Sequence, residues 1–516
     1  MRCSVPHFLK RLAVGLGAVV LVAGSATVAA QSEMDLPDIG NPAGALVTHD
    51  DEYAITLTVL RELRAQNYLL DDPESTEYIQ DLGARISSQA PDQPHPIEYV
   101  VARDDEVNST AVGDLVMMWS GLIIATHNES ELAGVMSHET AHVTQHHTAR
   151  GIMAERRQTI TAAAAMLAAV LLGAVAGGAG TPDIIEGGIA ASQGMAAQAG
   201  INYTRSQEWE ADRIGIQYLS KAGFSPYGMS DFFETTASTN GFGYEESLYP
   251  KFLDNHPLTP ERIADARDRA AHLPLPANLH DSVTYGLVRE RLRVLTADST
   301  YDILGYYRKL LESDRPPLED KYGYAVALMQ RRQPAAAVKV LEPLVAEHQS
   351  IILLRSALGQ AQVAAGEMQR GLATFAEAEA LFPRNVPLTV RYAEALIKAG
   401  RGRQAHDLLL DLFNNVEPTP LQIKLTAEAA SAAGDPGDAY YYMGEYQISN
   451  GNLPLATQQL QLALATPHLN NVQRERFRAR LAEIRDFLAQ EQRENRGRTQ
   501  QQQLTGDGNG LDLASH

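Results

Sequence analysis

Apolar residues recur every three to four positions over residues 50–65 and 73–89, which predicts two amphipathic helices. Asp72 ahead of a first-turn proline marks the start of the second. The pattern changes at 97–102 and at 111–119, where apolar and β-branched residues predict two strands, the latter closed by Ser120-Gly121. The strand just before the next helix is a candidate edge for holding an extended peptide, and equally a plain sheet strand. Asn128-Glu129-Ser130-Glu131 then reads as a helix cap with an acid at the third helical position. Leu132, Val135 and Met136 give that helix an apolar face, so it is expected to be largely buried.

Residues 158–182 contain no charged side chain. They are mostly Ala and Gly, with Leu, Val and Met concentrated in 166–175, which is marginal for a membrane span. A helix packed within its domain is the first expectation, and peripheral membrane contact the second. The Gly-rich stretch 173–200 is expected to be a mobile loop near the site in sequence, with a lid as one role. Past residue 300 the pattern repeats. Gly366, Gly400 and Gly434 recur at a spacing of 34, with Arg332 at the preceding register. Ala337, Gly371, Ala405 and Ala439 share that period, and Tyr324 to Leu328 matches Tyr392 to Leu396. A 34-residue unit with small residues at fixed places predicts a tetratricopeptide array, an all-α solenoid that usually binds a peptide or partner.

Length and composition add the frame. A chain of 516 residues exceeds one core. Residues 1–30 read as an export signal peptide: Arg2, Lys10 and Arg11, an apolar run from Leu12 to Val22, then Val28-Ala29-Ala30. Cys3, the one cysteine, would leave with it, so no disulfide is expected and a metal would rest on His and carboxylate ligands. The formal charge is −20, and −23 without the first 30 residues, which carry three cations and no acid. So acidic a chain argues against nucleic-acid partners.

His138-Glu139-Thr140-Ala141-His142 is an HExxH motif. Residues four apart share a helix face, with Cβ atoms about 5–6 Å apart, so two imidazoles can reach one Zn²⁺. Glu139 lies too far round the helix to be a third ligand but suits a general base acting on water. His146, on the drifting continuation of the stripe, is read as part of a polar face. A catalytic zinc needs a third protein ligand and an open position. Glu208 is the candidate, with Asp212 four residues on to orient a histidine ring; Glu210 is a rival that spacing leaves open.

His138 to His142, followed by Glu208-Trp209-Glu210-Ala211-Asp212, resembles the M48 metallopeptidases, which pair HExxH with ExxxD. Ser120 to Ile123, Val143-Thr144-Gln145 and the segment His256 to Ala264 extend the resemblance over about residues 50–270. It implies zinc, one ion per chain, on His138, His142 and Glu208, with Glu139 as base and Asp212 orienting His138 or His142. The stretch Asn108 to Asp114 departs from the family's Asn-Ala-Phe-Ala and Pro-Gly-Gly pattern, which bears on the conformation of the edge strand. Three roles stay open for His256: stabilising an oxyanion, capping zinc in a latent state, or packing a turn before Pro257. Arg205 is a weaker oxyanion candidate.

The expected fold is an α+β zincin-like protease domain, mostly helical with a small sheet, at 49–272, then an all-α tetratricopeptide solenoid at 301–489. A linker at 31–48, a connector at 273–300 and a disordered tail at 490–516 complete the expected order. With the signal peptide, this combination resembles the periplasmic proteases that serve outer-membrane β-barrel assembly. It implies a zinc endopeptidase that degrades misfolded or stalled outer-membrane proteins, assists their assembly and docks on the barrel-assembly machinery through its repeats. The competing expectations are a chaperone or scaffold whose zinc site His256 keeps closed, and a membrane-embedded protease.

Overall fold

The computed structural model describes residues 47–154, 205–239 and 256–506. The segments expected to be a signal peptide (1–30), a charge-free run (158–182) and a Gly-rich loop (173–200) lie outside them. Among the described residues no helix is long and apolar enough to cross a membrane.

Helix α1, His49–Ala65, opens with a capping box in which Thr48 and Asp51 satisfy each other's backbone N–H groups. Helix α2, Pro73–Ser87, starts at Asp72, whose carboxylate accepts from the Ser75 N–H at 3.1 Å. Strand β1, Glu98–Ala102, follows.

The single strand expected over 111–119 is a hairpin: β2, Ser109–Val112, and β3, Leu115–Trp119, joined by Gly113-Asp114. The run is apolar on both sides of this pair, so alternation does not reveal the break. Gly113 makes the turn at φ +58°, and an added Cβ would stand 2.5 Å from the Glu52 carbonyl oxygen. The sheet order is β1-β3-β2, with β1 parallel and β2 antiparallel to β3. The strand nearest the next helix is therefore central, and the edge beside the helix is β2.

Helix α3, Ser120–Ala125, leads to α4, Glu129–Thr144, which is capped by Asn128 and buried at every position. Around α4 lie α2, the sheet, α5 (His147–Ala154), α6 (Arg205–Lys221) and α7 (Gly228–Thr239). Ile79, Met118, Leu132, Met136, Leu219 and Phe233 are among the residues of the shared core. Gly215 lets α6 lie close on α4: a Cβ there would sit 2.8 Å from the Ser137 carbonyl and 3.0 Å from His138 Cα.

Helix α8, Pro260–Ala271, precedes α9, Val283–Thr296. The second half is all helix: α10 (Ile303–Leu310), α11 (Leu318–Gln330), α12 (Pro334–Glu347), α13 (Ile352–Ala364), α14 (Met368–Leu381), α15 (Val386–Lys398), α16 (Gly402–Phe413), α17 (Pro420–Ala432), α18 (Pro436–Ser449), α19 (Leu453–Ala465) and α20 (Asn471–Gly506). The last helix continues beyond Gln490, into the segment whose polar composition predicts disorder. The 34-residue period has a conformational cause. Gly366, Gly400 and Gly434 turn at φ +84°, +74° and +77°, and Arg332 takes the same left-handed corner at φ +57°. Ala337 and Ala405 are fully buried where paired helices meet.

The repeats close on α2. Arg291 and Arg391 both reach Asp72, at 2.6 and 3.0 Å, and Glu74, at 3.1 and 2.8 Å. Ser356 and Gln360 donate to Glu74 Oε1 at 3.1 and 3.0 Å.

Candidate metal centre

Helix α4 presents His138 and His142 on one face, and α6 brings Glu208 and Asp212 to it. His256 arrives from the segment before α8. The Nε2 atoms of His138 and His142 stand 3.1 Å apart. Glu208 places carboxylate oxygens 3.7 Å from the first and 3.4 Å from the second. His256 Nδ1 lies 3.2 Å from His138 Nε2 and 3.2 Å from each Glu208 oxygen. All four side chains are buried, and one donor atom of each lies within 4.8 Å of the others.

Hydrogen bonding fixes which way the rings face. His138 Nδ1 stands 2.9 Å from Asp212 Oδ1; a carboxylate only accepts, so this proximity favours the proton on Nδ1 and the lone pair on Nε2. His147 Nε2 donates to Glu210 at 3.1 Å, leaving its Nδ1 to accept from His142 Nδ1 at 2.8 Å. Burial holds His142 well below the ordinary imidazole range and His147 at about 4, so both are neutral near pH 7. Two imidazole lone pairs thus face each other beside a carboxylate. Burial opposes ionisation of Glu208, but His256, His138 and Arg262 together hold it below the usual range.

That donor set fits a zinc ion. Corners of a tetrahedron with bonds of ~2.0–2.1 Å are about 3.3 Å apart, close to the spacings here.

Glu139 lies beside this group, fully buried. Its Oε1 accepts from Ser109 Oγ of the edge strand at 2.6 Å and lies 3.4 Å from His256 Nε2; its Oε2 is buried without a hydrogen-bond partner. Arg262 braces the far side. It grips Asp212 through Nε and Nη2, both at 2.8 Å, and reaches Glu208 and the Pro257 carbonyl through Nη1, again at 2.8 Å.

Of the alternatives open in the sequence, Asp212 lies against His138, not His142. Glu210 pairs with His147 and Arg150 instead of joining the cluster. Arg205 is exposed at the start of α6. His146 turns away at φ +53° toward Glu52. Sequence reasoning gave no role to His147, Arg262 or Ser109. Arg262 had a signal in its place six residues after His256, whereas His147 and Ser109 had none.

A buried HExxH helix with a carboxylate from a second helix defines a metallopeptidase, and the comparisons agree. The model of peptidase family M48 matches residues 73–270, and a tetratricopeptide model matches 362–421. The chain is 31% identical over 454 residues to the β-barrel assembly-enhancing protease of Yersinia pestis, covering 87% of this chain and 91% of that one. It is 29% identical over 483 residues to the Escherichia coli K12 protein of the same name, covering 93% and 97%. The E. coli metalloprotease YcaL is 33% identical over 180 residues, 34% of this chain and 63% of that one. The chain belongs to the M48 peptidases. Within them it is similar over most of its length to proteases named for enhancing β-barrel assembly.

Proposed function

We propose that the chain is an exported zinc endopeptidase of the periplasm that is latent at rest and degrades misfolded or stalled outer-membrane proteins. The observation that carries this reading is the position of His256 Nδ1, at the fourth corner of a tetrahedron with His138, His142 and Glu208, where an attacking water would need to enter. Zinc held on those residues would supply a Lewis acid that polarises the peptide carbonyl and acidifies water. His138 and His142 hold their lone pairs inward because Asp212 and His147 fix their tautomers. An extended substrate would add to β2 by backbone hydrogen bonds and lie against α4. Glu139 Oε2 would then take a proton from the water and return it to the leaving nitrogen. Withdrawal of His256 is the step that opens the site. The repeats would dock the barrel-assembly machinery or the client, an assignment supported by the relatives' name and the usual use of such solenoids.

The test is degradation of an unfolded outer-membrane protein by the zinc-loaded chain. His256→Ala is expected to cut at least ten-fold faster than wild type, and adding Glu139→Gln to remove 10²–10⁴ of that rate. An inactive His256→Ala protein that keeps its zinc would favour the second reading, a chaperone or scaffold with a structural zinc, which the fully closed site also suits.

A further inference from the structure

Away from the four-residue centre a second group of ligand-type side chains converges. His49 and Glu52 are three apart on α1 and so share a helix face. His146, just past the end of α4, is brought against them. One donor atom from each of the three lies within 4.8 Å of the others. His146 Nδ1 is 2.8 Å from Glu52 Oε2, and the His49 and His146 rings meet edge to face at 4.6 Å.

Three features set this group apart from a chance surface cluster. Glu52 is only 3% exposed, and burying a carboxylate calls for a compensating charge. His146 holds φ +53°, unfavourable for a residue with a Cβ, in the conformation that sets its ring on Glu52. Asp114, 7% exposed in the neighbouring β2–β3 turn, has a buried oxygen, Oδ2, without a hydrogen-bond partner. Its carboxyl is pushed up to about 6 by burial and by Glu52, against the pull of His95 and His146. Glu52 and Asp114 repel each other electrostatically, so a cation held on Glu52 would ease both carboxyls.

We propose that His49, Glu52 and His146 form a second metal site, for a borderline divalent ion such as Zn²⁺, that ties the start of α1 to the end of the HExxH helix. Two imidazoles and a carboxylate suit zinc, and the exposure of His49 leaves room for water ligands. The site also abuts the hairpin, because the Gly113 N–H donates to Thr148 Oγ1 at 3.0 Å and Gly113 lies over the Glu52 carbonyl. Occupancy would clamp the turn from which edge strand β2 runs back toward Glu139. This inference goes beyond the peptidase reading and does not depend on it.

The experiment is equilibrium dialysis of the full chain, stripped with chelator, against micromolar Zn²⁺, with bound zinc counted by mass spectrometry. Wild type should hold two ions per chain. His49→Ala, a change at an exposed ring, should weaken the second ion at least ten-fold, and His49→Ala/His146→Ala should hold one. Glu208→Gln should retain the ion on His49, Glu52 and His146. A His49→Ala/His146→Ala chain that binds as many ions as wild type and as tightly, or a Glu208→Gln chain that binds none, overturns the proposal.

Discussion

Ser109 shows how much of the centre depends on single atoms. Its hydroxyl spends its proton on Glu139 Oε1, leaving Oε2 as the oxygen able to receive another. Ser109→Ala in the His256→Ala background is expected to lower kcat about ten-fold with KM unchanged, well short of the 10²–10⁴ that loss of the base itself costs. Steady-state kinetics on a fluorogenic peptide would check the split. The same residue marks where sequence reasoning stops. His138, Glu139 and His142 share one helix and Glu208 and Asp212 another, so their geometry follows from a period of 3.6. Ser109 reaches Glu139 from a strand 30 residues away, and His147 meets Glu210 from 63 away, across elements whose packing no local spacing encodes.

Among the elements, the repeat corners were legible and the hairpin was not. Glycines at a fixed spacing announce a left-handed turn because few other residues take it, and the structure sets Gly366, Gly400 and Gly434 there. Arg332 keeps the register but pays for its Cβ, since the left-handed region costs roughly 1–2 kcal/mol for an L-residue. Arg332→Gly should therefore stabilise the array, by somewhat less than that because glycine also loosens the unfolded chain. Gly400→Ala should destabilise it by about 1 kcal/mol. Urea unfolding followed by circular dichroism would give both signs. In β2 and β3, by contrast, an apolar run continues across the turn, and Gly113-Asp114 alone betrays it.

At the scale of the whole molecule, α2 is the part that both halves share. One side packs on α4, and its start receives Arg291 and Arg391. Burial works against ionised Asp72, but the two guanidiniums hold it below the usual carboxylate range. Its contribution is thus present above about pH 4 and lost as pH falls through the lowered folded value. Arg391→Met should cost about 1–3 kcal/mol by removing one of the two cations that Asp72 and Glu74 share, with Arg291 left in place. Calorimetry should then resolve two unfolding transitions in place of one. Glu77 acts in the opposite direction. Burial, then Asp81, raises it to about 7, so its folded-state stability is full below about pH 4 and gone above 7. Glu77→Gln should add on the order of 1 kcal/mol at pH 8, after allowance for solvent screening, and nothing at pH 4.

The bond between Arg391 and Asp72 spans 319 residues of chain. Until that bond forms, the helix that backs the HExxH segment has Arg291 alone to neutralise Asp72 and Glu74. The half that carries the HExxH helix is therefore completed by a residue far along the chain, and a chain cut short before residue 391 would keep Arg291 on those carboxylates but lose the second cation that braces α2.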